Sequence, residues 1–275
     1  MFVTKFDGSI QPFHKEKIVR TCLRMGASAG KAEEISNKIQ KNIYDGIPTK
    51  KILQMIFKYM REVKPEVRHQ IDLREAISLL RSKPDFEHFV GLLLQEYGYR
   101  ISMNQMVSGK CVEHEIDVIA IKGSESIYVE VKHHLQAHTY TGVDTFLQAR
   151  ATFEDLIDGN SAGKNDIKFT KGLVFCNTKI SDHALRYSAC SGIDHIGWKS
   201  PKDRSLEMMV EQKKLYPITF IRGLDRNTTI RLGDARIYTV KQLVESNLNE
   251  LSRKSRISKI NLLKLIQKSK HVLGY

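Results

Sequence analysis

The stretch that decides the fold runs His114-Glu-Ile-Asp117-Val-Ile-Ala-Ile121, then Lys122-Gly-Ser-Glu-Ser126, then Ile127-Tyr-Val-Glu130-Val-Lys132-His-His134. The outer pieces alternate apolar and polar residues at period two, and a polar cluster with glycine separates them, which predicts a β-hairpin. Side chains alternate faces along a strand, so Glu130 and Lys132 share a face, as do Glu115 and Asp117. A turn centred near Ser124 sets Asp117 opposite Val131, within a residue of Glu130. Two carboxylates and a lysine therefore converge.

Carboxylates opposed on neighbouring strands repel, so bringing Asp117 and Glu130 together calls for positive charge between them. A hard divalent cation, Mg²⁺ or Mn²⁺, suits such oxygens and keeps open positions for phosphate and water. Lys132 would then orient or deprotonate that water, or stabilise charge on the phosphorus centre. A solvated strand face, on which the three side chains only satisfy polarity, fits the same spacing.

Asp117 followed by Glu130-Val-Lys132 resembles the core of the PD-(D/E)XK nuclease superfamily, particularly the archaeal Holliday-junction resolvases and the Mrr-type restriction endonucleases. Those families place a helix with a further acid before the hairpin and end it in a Gly-aromatic turn. Here Asp85-Phe-Glu87-His-Phe-Val-Gly-Leu-Leu-Leu-Gln-Glu96-Tyr-Gly98-Tyr99 supplies it. The resemblance implies Glu87, Asp117 and Glu130 as metal ligands with Lys132 as the catalytic cation, Glu96 being the competing acid. It also implies a glutamine on the helix after the hairpin, for which Gln148 is the candidate.

The 275 residues allow several small domains, and 44 Lys and Arg against 31 Asp and Glu give a net charge of +13. From Lys199 to Tyr275 stand 17 basic and 7 acidic residues, the electrostatic footprint of a phosphate-backbone binder, although a basic face also serves solubility alone. Cys22, Cys111, Cys176 and Cys190 are scattered without a C-x-x-C pair, which argues against a zinc site or a disulfide framework. With no apolar run long enough for a membrane span and no signal peptide visible, a cytoplasmic protein is expected.

The first eighty residues open Val3-Thr-Lys5-Phe-Asp7-Gly8-Ser-Ile-Gln11-Pro12-Phe13, with Asp7-Gly8 as a hairpin turn. Helices are expected over 14–26, 29–45, 49–62 and 66–82, with Thr49 as the N-cap of the third. The opening, the Lys17-Ile18 pair and the later Asp45-Gly46-Ile47-Pro-Thr49 resemble the ATP cone, the nucleotide-binding domain at the front of ribonucleotide reductases and of their zinc-dependent repressor. The resemblance implies that Lys5, Gln11, His14, Lys17 and Thr49 line an ATP or dATP ligand, where lysines would neutralise phosphates. Phe6 and His14 depart from the family's usual residues. Cones often associate, so a homodimer is expected.

Between these pieces, residues 99–107 read as a strand, 142–158 as a helix, 172–178 as a buried strand, 181–191 as a helix capped by Ser181, and 193–198 as a last strand. His133, His134 and His138 lack a paired ligand pattern, and phosphate or surface roles are expected of them. Residues 201–214 read as a polar linker. The remainder alternates short helices and tight turns and resembles tandem helix-hairpin-helix units, with hairpins at 234–239 and 254–259 that lack the usual glycines. Arg236, Arg256 and Lys259 are the candidate DNA contacts, and a protein-binding helical module is the other reading.

The whole is expected to be an α+β multidomain chain: a mostly helical cone over 1–83, a mixed-sheet nuclease-like domain over 84–200 and a basic all-α domain over 201–275. Two functions follow from the resemblances. One is a nucleotide-regulated, metal-dependent DNA endonuclease; the other is a nucleotide-responsive DNA-binding regulator whose nuclease fold is inactive.

Overall fold

The computed structural model describes Met1–Tyr275 and divides into two compact units, Met1–Ile71 with Gln267–Tyr275, and Asp72–Ile266. In the first, β1 (Phe2–Thr4) pairs antiparallel with β2 (Ile10–Pro12), closing over a turn in which Gly8 takes a φ of +80°. Helices α1 (Lys15–Arg24) and α2 (Ala29–Gln40) follow, then β3 (Ile47–Pro48), parallel to β1, and α3 (Thr49–Val63). Ile18, Cys22, Ile35, Ile39, Ile56 and Met60 recur at helical spacing and form the core. Pro48, not Thr49, is the N-cap of α3, and Thr49 is already its first helical residue. The helix expected over 66–82 is broken. Pro65–His69 makes a short 3₁₀ turn, and α4 (Leu73–Ser78) starts afresh, capped by Asp72 accepting from the Glu75 N–H at 3.1 Å.

The second unit continues with α5 (Glu87–Glu96), β4 (Arg100–Ser108), β5 (Glu113–Lys122), β6 (Glu125–Lys132) and the short β7 (Tyr140–Thr141). Then come α6 (Val143–Ser161), β8 (Lys171–Cys176), the short β9 (Lys179–Ile180), α7 (Asp182–Ser191) and β10 (Ile193–Ile196). Five strands form a mixed sheet ordered β10-β8-β6-β5-β4, antiparallel from β4 to β6 and parallel from β6 to β10. Helix α6 is the crossover between parallel strands β6 and β8. Its Phe146, Phe153 and Leu156 pack with Tyr128, Ile119, Val174 and Phe169 into the main core.

Helix α6 lies very close to the turn after β4. A Cβ built on Gly159 would stand 2.6 Å from the Gly109 carbonyl carbon and 2.8 Å from the Ser108 oxygen, both backbone atoms that cannot swing aside. Gly159→Ala is expected to lower stability by about 1–3 kcal/mol, seen as an earlier urea midpoint. One turn earlier, Asp155 clamps the same turn, accepting from the Cys111 N–H at 2.8 Å and the Val112 N–H at 3.3 Å and facing His114 Nε2 at 2.8 Å. The His114 contact, then the Cys111 and Val112 donors, hold its carboxyl well below the usual aspartate range. A depressed carboxylate stabilises the fold above its unfolded pKa, and that contribution disappears as pH falls through the folded value. Asp155→Asn should therefore weaken the fold at neutral pH, and its difference from the parent should shrink progressively as pH falls below the unfolded aspartate value of about 3.9, measured by urea unfolding across that range.

Residues 201–214, expected to link, instead contain α8 (Leu206–Lys213), because Leu206, Met209 and Val210 bury one side of it. After a 3₁₀ turn at Ile218–Phe220 come α9 (Arg226–Asp234), α10 (Val240–Glu245), α11 (Leu248–Ser255) and α12 (Lys259–Leu273). Both expected hairpins join consecutive helices, α9 to α10 and α11 to α12. Their glycine places are taken by Arg236 and Arg256, in left-handed conformation with φ of +63° and +55°. A third tight turn, with Gly223 at φ +78°, leads into α9. No helix is long and apolar enough to cross a membrane.

Candidate active site

The hairpin turn closes in two residues, Gly123 and Ser124, because Gly123 adopts a φ of +59° that side chains disfavour. Pairing therefore runs Lys122 with Glu125 through Val118 with Val129, and its continuation sets Asp117 opposite Glu130 rather than Val131. Opposite residues share a face, so Asp117, Glu130 and Lys132 lie on one side of the sheet. The ladder stops there: the Val131 N–H is taken by the Asp117 carboxylate at 2.8 Å, which fixes that side chain.

Glu87, in the first turn of α5, is buried beside Asp117. Burial, and then the Asp117 charge, push its carboxyl up from 4.5 to about 7, while Lys83 pulls the other way. Glu87 Oε2 has no hydrogen-bond partner although it is fully sealed. Glu130 is also raised, first by burial and then by Asp117; its Oε2 accepts from the Tyr128 hydroxyl at 2.8 Å. Lys132, exposed at the end of β6, completes the group.

One participant was not expected from the sequence. Lys83 Nζ stands 3.1 Å from Glu87 Oε1, 3.2 Å from Asp117 Oδ1 and 3.6 Å from Glu115 Oε1, so an ammonium supplies the positive charge that the acids require. No three His, Cys, Asp or Glu side chains close by themselves into a metal cage. The donor chemistry nevertheless suits a hard cation: carboxylate oxygens surround one point, one buried oxygen is unpartnered, and a cation already stands among them. Lys83 precedes Glu87 by four residues, a spacing that signals an ion pair on a helix, but the intervening Pro84 hid it.

The other expected residues are placed as follows. Gln148 is exposed on α6, next to the buried Ala149. Glu96, the competing acid, is away from the cluster and pairs with Lys241 at 3.1 Å. His133 and His134 are half-buried structural groups, whereas His138 stays at the surface with its Nδ1 3.0 Å from an Arg74 guanidinium nitrogen. His133 faces the Ile77 carbonyl at 3.1 Å and Ser82 Oγ at 3.0 Å, and His134 lies against Thr141 while its backbone is bracketed by Asn177. Arg236, Arg256 and Lys259 are exposed.

In the first unit a cavity of about 180 Å³ is lined by Lys5, His14, Lys17 and Thr49 over an apolar floor of Ile18, Ile52 and Ile56. Gln11 stands outside it, exposed on β2.

These two architectures define a chain that joins an ATP cone to a restriction-endonuclease domain. Residues 1–83 match the ATP cone domain family and residues 80–196 the Mrr_cat restriction endonuclease family, so the chain carries a domain of each in that order. An uncharacterized protein of Archaeoglobus fulgidus is 34% identical over 182 residues, covering 66% of this chain and 98% of that protein. A second uncharacterized protein of that organism is 46% identical over 39 residues, 14% of this chain and 83% of its own length. The crystal structure of AF1548, a protein of unknown function, superposes with a TM-score of 0.59 at 33% identity, covering 69% of this chain and 97% of that one.

Proposed function

We propose that the protein is a divalent-metal-dependent DNA endonuclease whose activity is set by ATP or dATP bound to the cone. The observation that carries this reading is the placement of Asp117, Glu130 and Lys132 on one sheet face with Glu87 buried alongside. Asp117 and Glu87, joined by Glu130, would hold Mg²⁺ or Mn²⁺. Such an ion supplies Lewis acidity at a phosphoryl oxygen and lowers the pKa of a water. The protein's own part is positioning. The Val131 N–H holds Asp117 in one orientation, the Tyr128 hydroxyl holds Glu130, and the exposed Lys132 ammonium can reach a phosphate or orient a water from the solvent side. Gln148, on the flank of α6, is proposed to line the approach. Arg236, Arg256 and Lys259 are proposed to meet the DNA backbone, where each lost lysine or arginine would reduce the salt dependence of binding by about one charge.

The test is a cleavage panel over supercoiled, linear, branched and single-stranded DNA with Mg²⁺ or Mn²⁺, with and without ATP and dATP. Metal-dependent cutting of at least one form, changed by nucleotide, is expected. No cutting of any form, with a nucleotide-responsive gel shift, would replace this reading by that of a DNA-binding regulator.

The cone carries its own prediction. Lys5 and Lys17 face the same cavity as His14 and Thr49, so they would neutralise a triphosphate lying across it. Lys17→Ala should weaken ATP binding by roughly tenfold in calorimetry on the full chain, about 1.4 kcal/mol. Gln11→Ala, outside the cavity, should do less. Equal binding by the parent and Lys17→Ala would remove Lys17 from the nucleotide site.

A further inference from the structure

We propose that Lys83 is a tethered counter-ion: its ammonium holds the acidic cluster together while no divalent ion is bound, and it must leave for one to bind. The inference rests on the metal-dependent reading given above and assigns a residue that sets how tightly the metal is held.

The geometry has three parts. First, Lys83 Nζ lies within 3.6 Å of oxygens from three different carboxylates, Glu87, Asp117 and Glu115, which is the position a bound cation would take. Secondly, the partners differ in freedom. The Glu87 and Asp117 side chains are 2% and 8% exposed and cannot move far, whereas that of Lys83 is 61% exposed and reaches in from solvent. Glu87 and Asp117 are the fixed frame, while Lys83 and the exposed Glu115 are the movable pieces. Thirdly, the ammonium does not finish the job, because Glu87 Oε2 stays buried and unpartnered. A divalent ion carries twice the charge and binds oxygens at about 2.0–2.6 Å, well inside the distances Lys83 keeps.

Two cations cannot share these oxygens, since the ammonium would face the metal across a few ångströms of poorly screened space. Metal binding therefore competes with the Lys83 contacts. A lysine that swings out regains rotamer freedom, which keeps the exchange accessible.

The test measures Mn²⁺ binding directly, by calorimetry and by the electron-paramagnetic-resonance signal of free Mn²⁺, on the full-length parent, Lys83→Met and Lys83→Gln. Lys83→Met keeps the length of the stem and removes the charge, so it should bind Mn²⁺ at least about tenfold more tightly than the parent. Lys83→Gln retains hydrogen-bond donors and should shift affinity in the same direction by less. In EDTA, Lys83→Met should unfold at lower urea than the parent, because three carboxylates then face each other, and added Mn²⁺ should restore it. Should Lys83→Met prove unable to fold without metal, Lys83→Gln carries the comparison. Equal or weaker Mn²⁺ binding by both variants would overturn the role of Lys83 while leaving the metal site standing. Absence of Mn²⁺ binding in the parent and variants alike would remove the metal-dependent reading and this proposal with it. Asp117→Asn, expected to bind little Mn²⁺ in either background, shows that the signal comes from this cluster.

Discussion

Asp117→Asn is expected to lose metal-dependent DNA cleavage by about three orders of magnitude while its DNA binding in EDTA stays close to that of the parent. The substitution is chosen for what it preserves. The Asp117 carboxylate accepts the Val131 N–H at 2.8 Å, and the asparagine amide oxygen can accept the same bond, so the end of the β5–β6 ladder survives and only the charge goes. Lys132→Ala gives the independent half of the test. Its side chain is exposed at the end of β6, so its removal leaves no cavity, yet it takes away the ammonium that β6 itself carries beside Glu130. A loss of at least about a hundredfold is expected, in kcat rather than in affinity, because an ammonium acting on a developing charge contributes more in the transition state than in the ground state. Glu130→Gln belongs to the same series, since the amide still accepts from the Tyr128 hydroxyl. Wild-type cleavage rates from Asp117→Asn and Lys132→Ala together would sink the nuclease reading, because neither result could be blamed on misfolding.

The parts of this molecule that could be read in advance are those encoded by local period. The alternation of Ile116 and Val118 against Glu115 and Asp117 marks a strand with one specialised face, and the hairpin follows from it. The register was off by one residue because a two-residue turn depends on Gly123 taking a left-handed conformation, which lets the strands run into the polar cluster. Helical spacing of apolar residues likewise points to one long helix over 66–82, but Asp72 offers a side-chain cap that starts a separate helix. Lys83 illustrates a deeper limit. Its partners Asp117 and Glu115 lie more than thirty residues along the chain, so nothing local announces that an ammonium will stand between them. His133 and His134 were misjudged for the same reason, since their bonds to Ile77 and Thr141 are made by packing. The α8 region reads as a linker because polar residues dominate its composition, while three buried apolar residues decide its structure.

Arg81→Met should cost about 3–5 kcal/mol of stability, a large part of the roughly 5–15 kcal/mol that holds a typical domain. Arg81 presents its guanidinium fork to Asp85, Nε to Oδ2 at 2.8 Å and a terminal nitrogen to Oδ1 at 2.7 Å, and its other terminal nitrogen meets Asp234 at 2.9 Å. The Asp85 side chain is only 2% exposed, so removing Arg81 leaves a carboxylate buried without its counter-charge. The seal over the pair is the backbone of α9: a Cβ on Gly233 would fall 2.6 Å from both the Arg81 guanidinium and Asp85 Oδ1. A lysine cannot reproduce a planar two-point contact in that space, so Arg81→Lys should recover little. The double variant Arg81→Met/Asp85→Leu should be markedly more stable than Arg81→Met, because the cost lies in the unpaired charge rather than in the loss of a bond. Asp234→Ala, whose side chain is 61% exposed, should change stability by less than about 1 kcal/mol. Urea unfolding of the four variants measures all of this, and an unchanged midpoint for Arg81→Met would refute it. Since Glu87 follows Asp85 by two residues, the same pair also anchors the first turn of α5. Cleavage by Arg81→Met should then fall even at temperatures where the variant remains folded, through displacement of Glu87 from Asp117, and Arg81→Met/Asp85→Leu should regain stability more fully than rate.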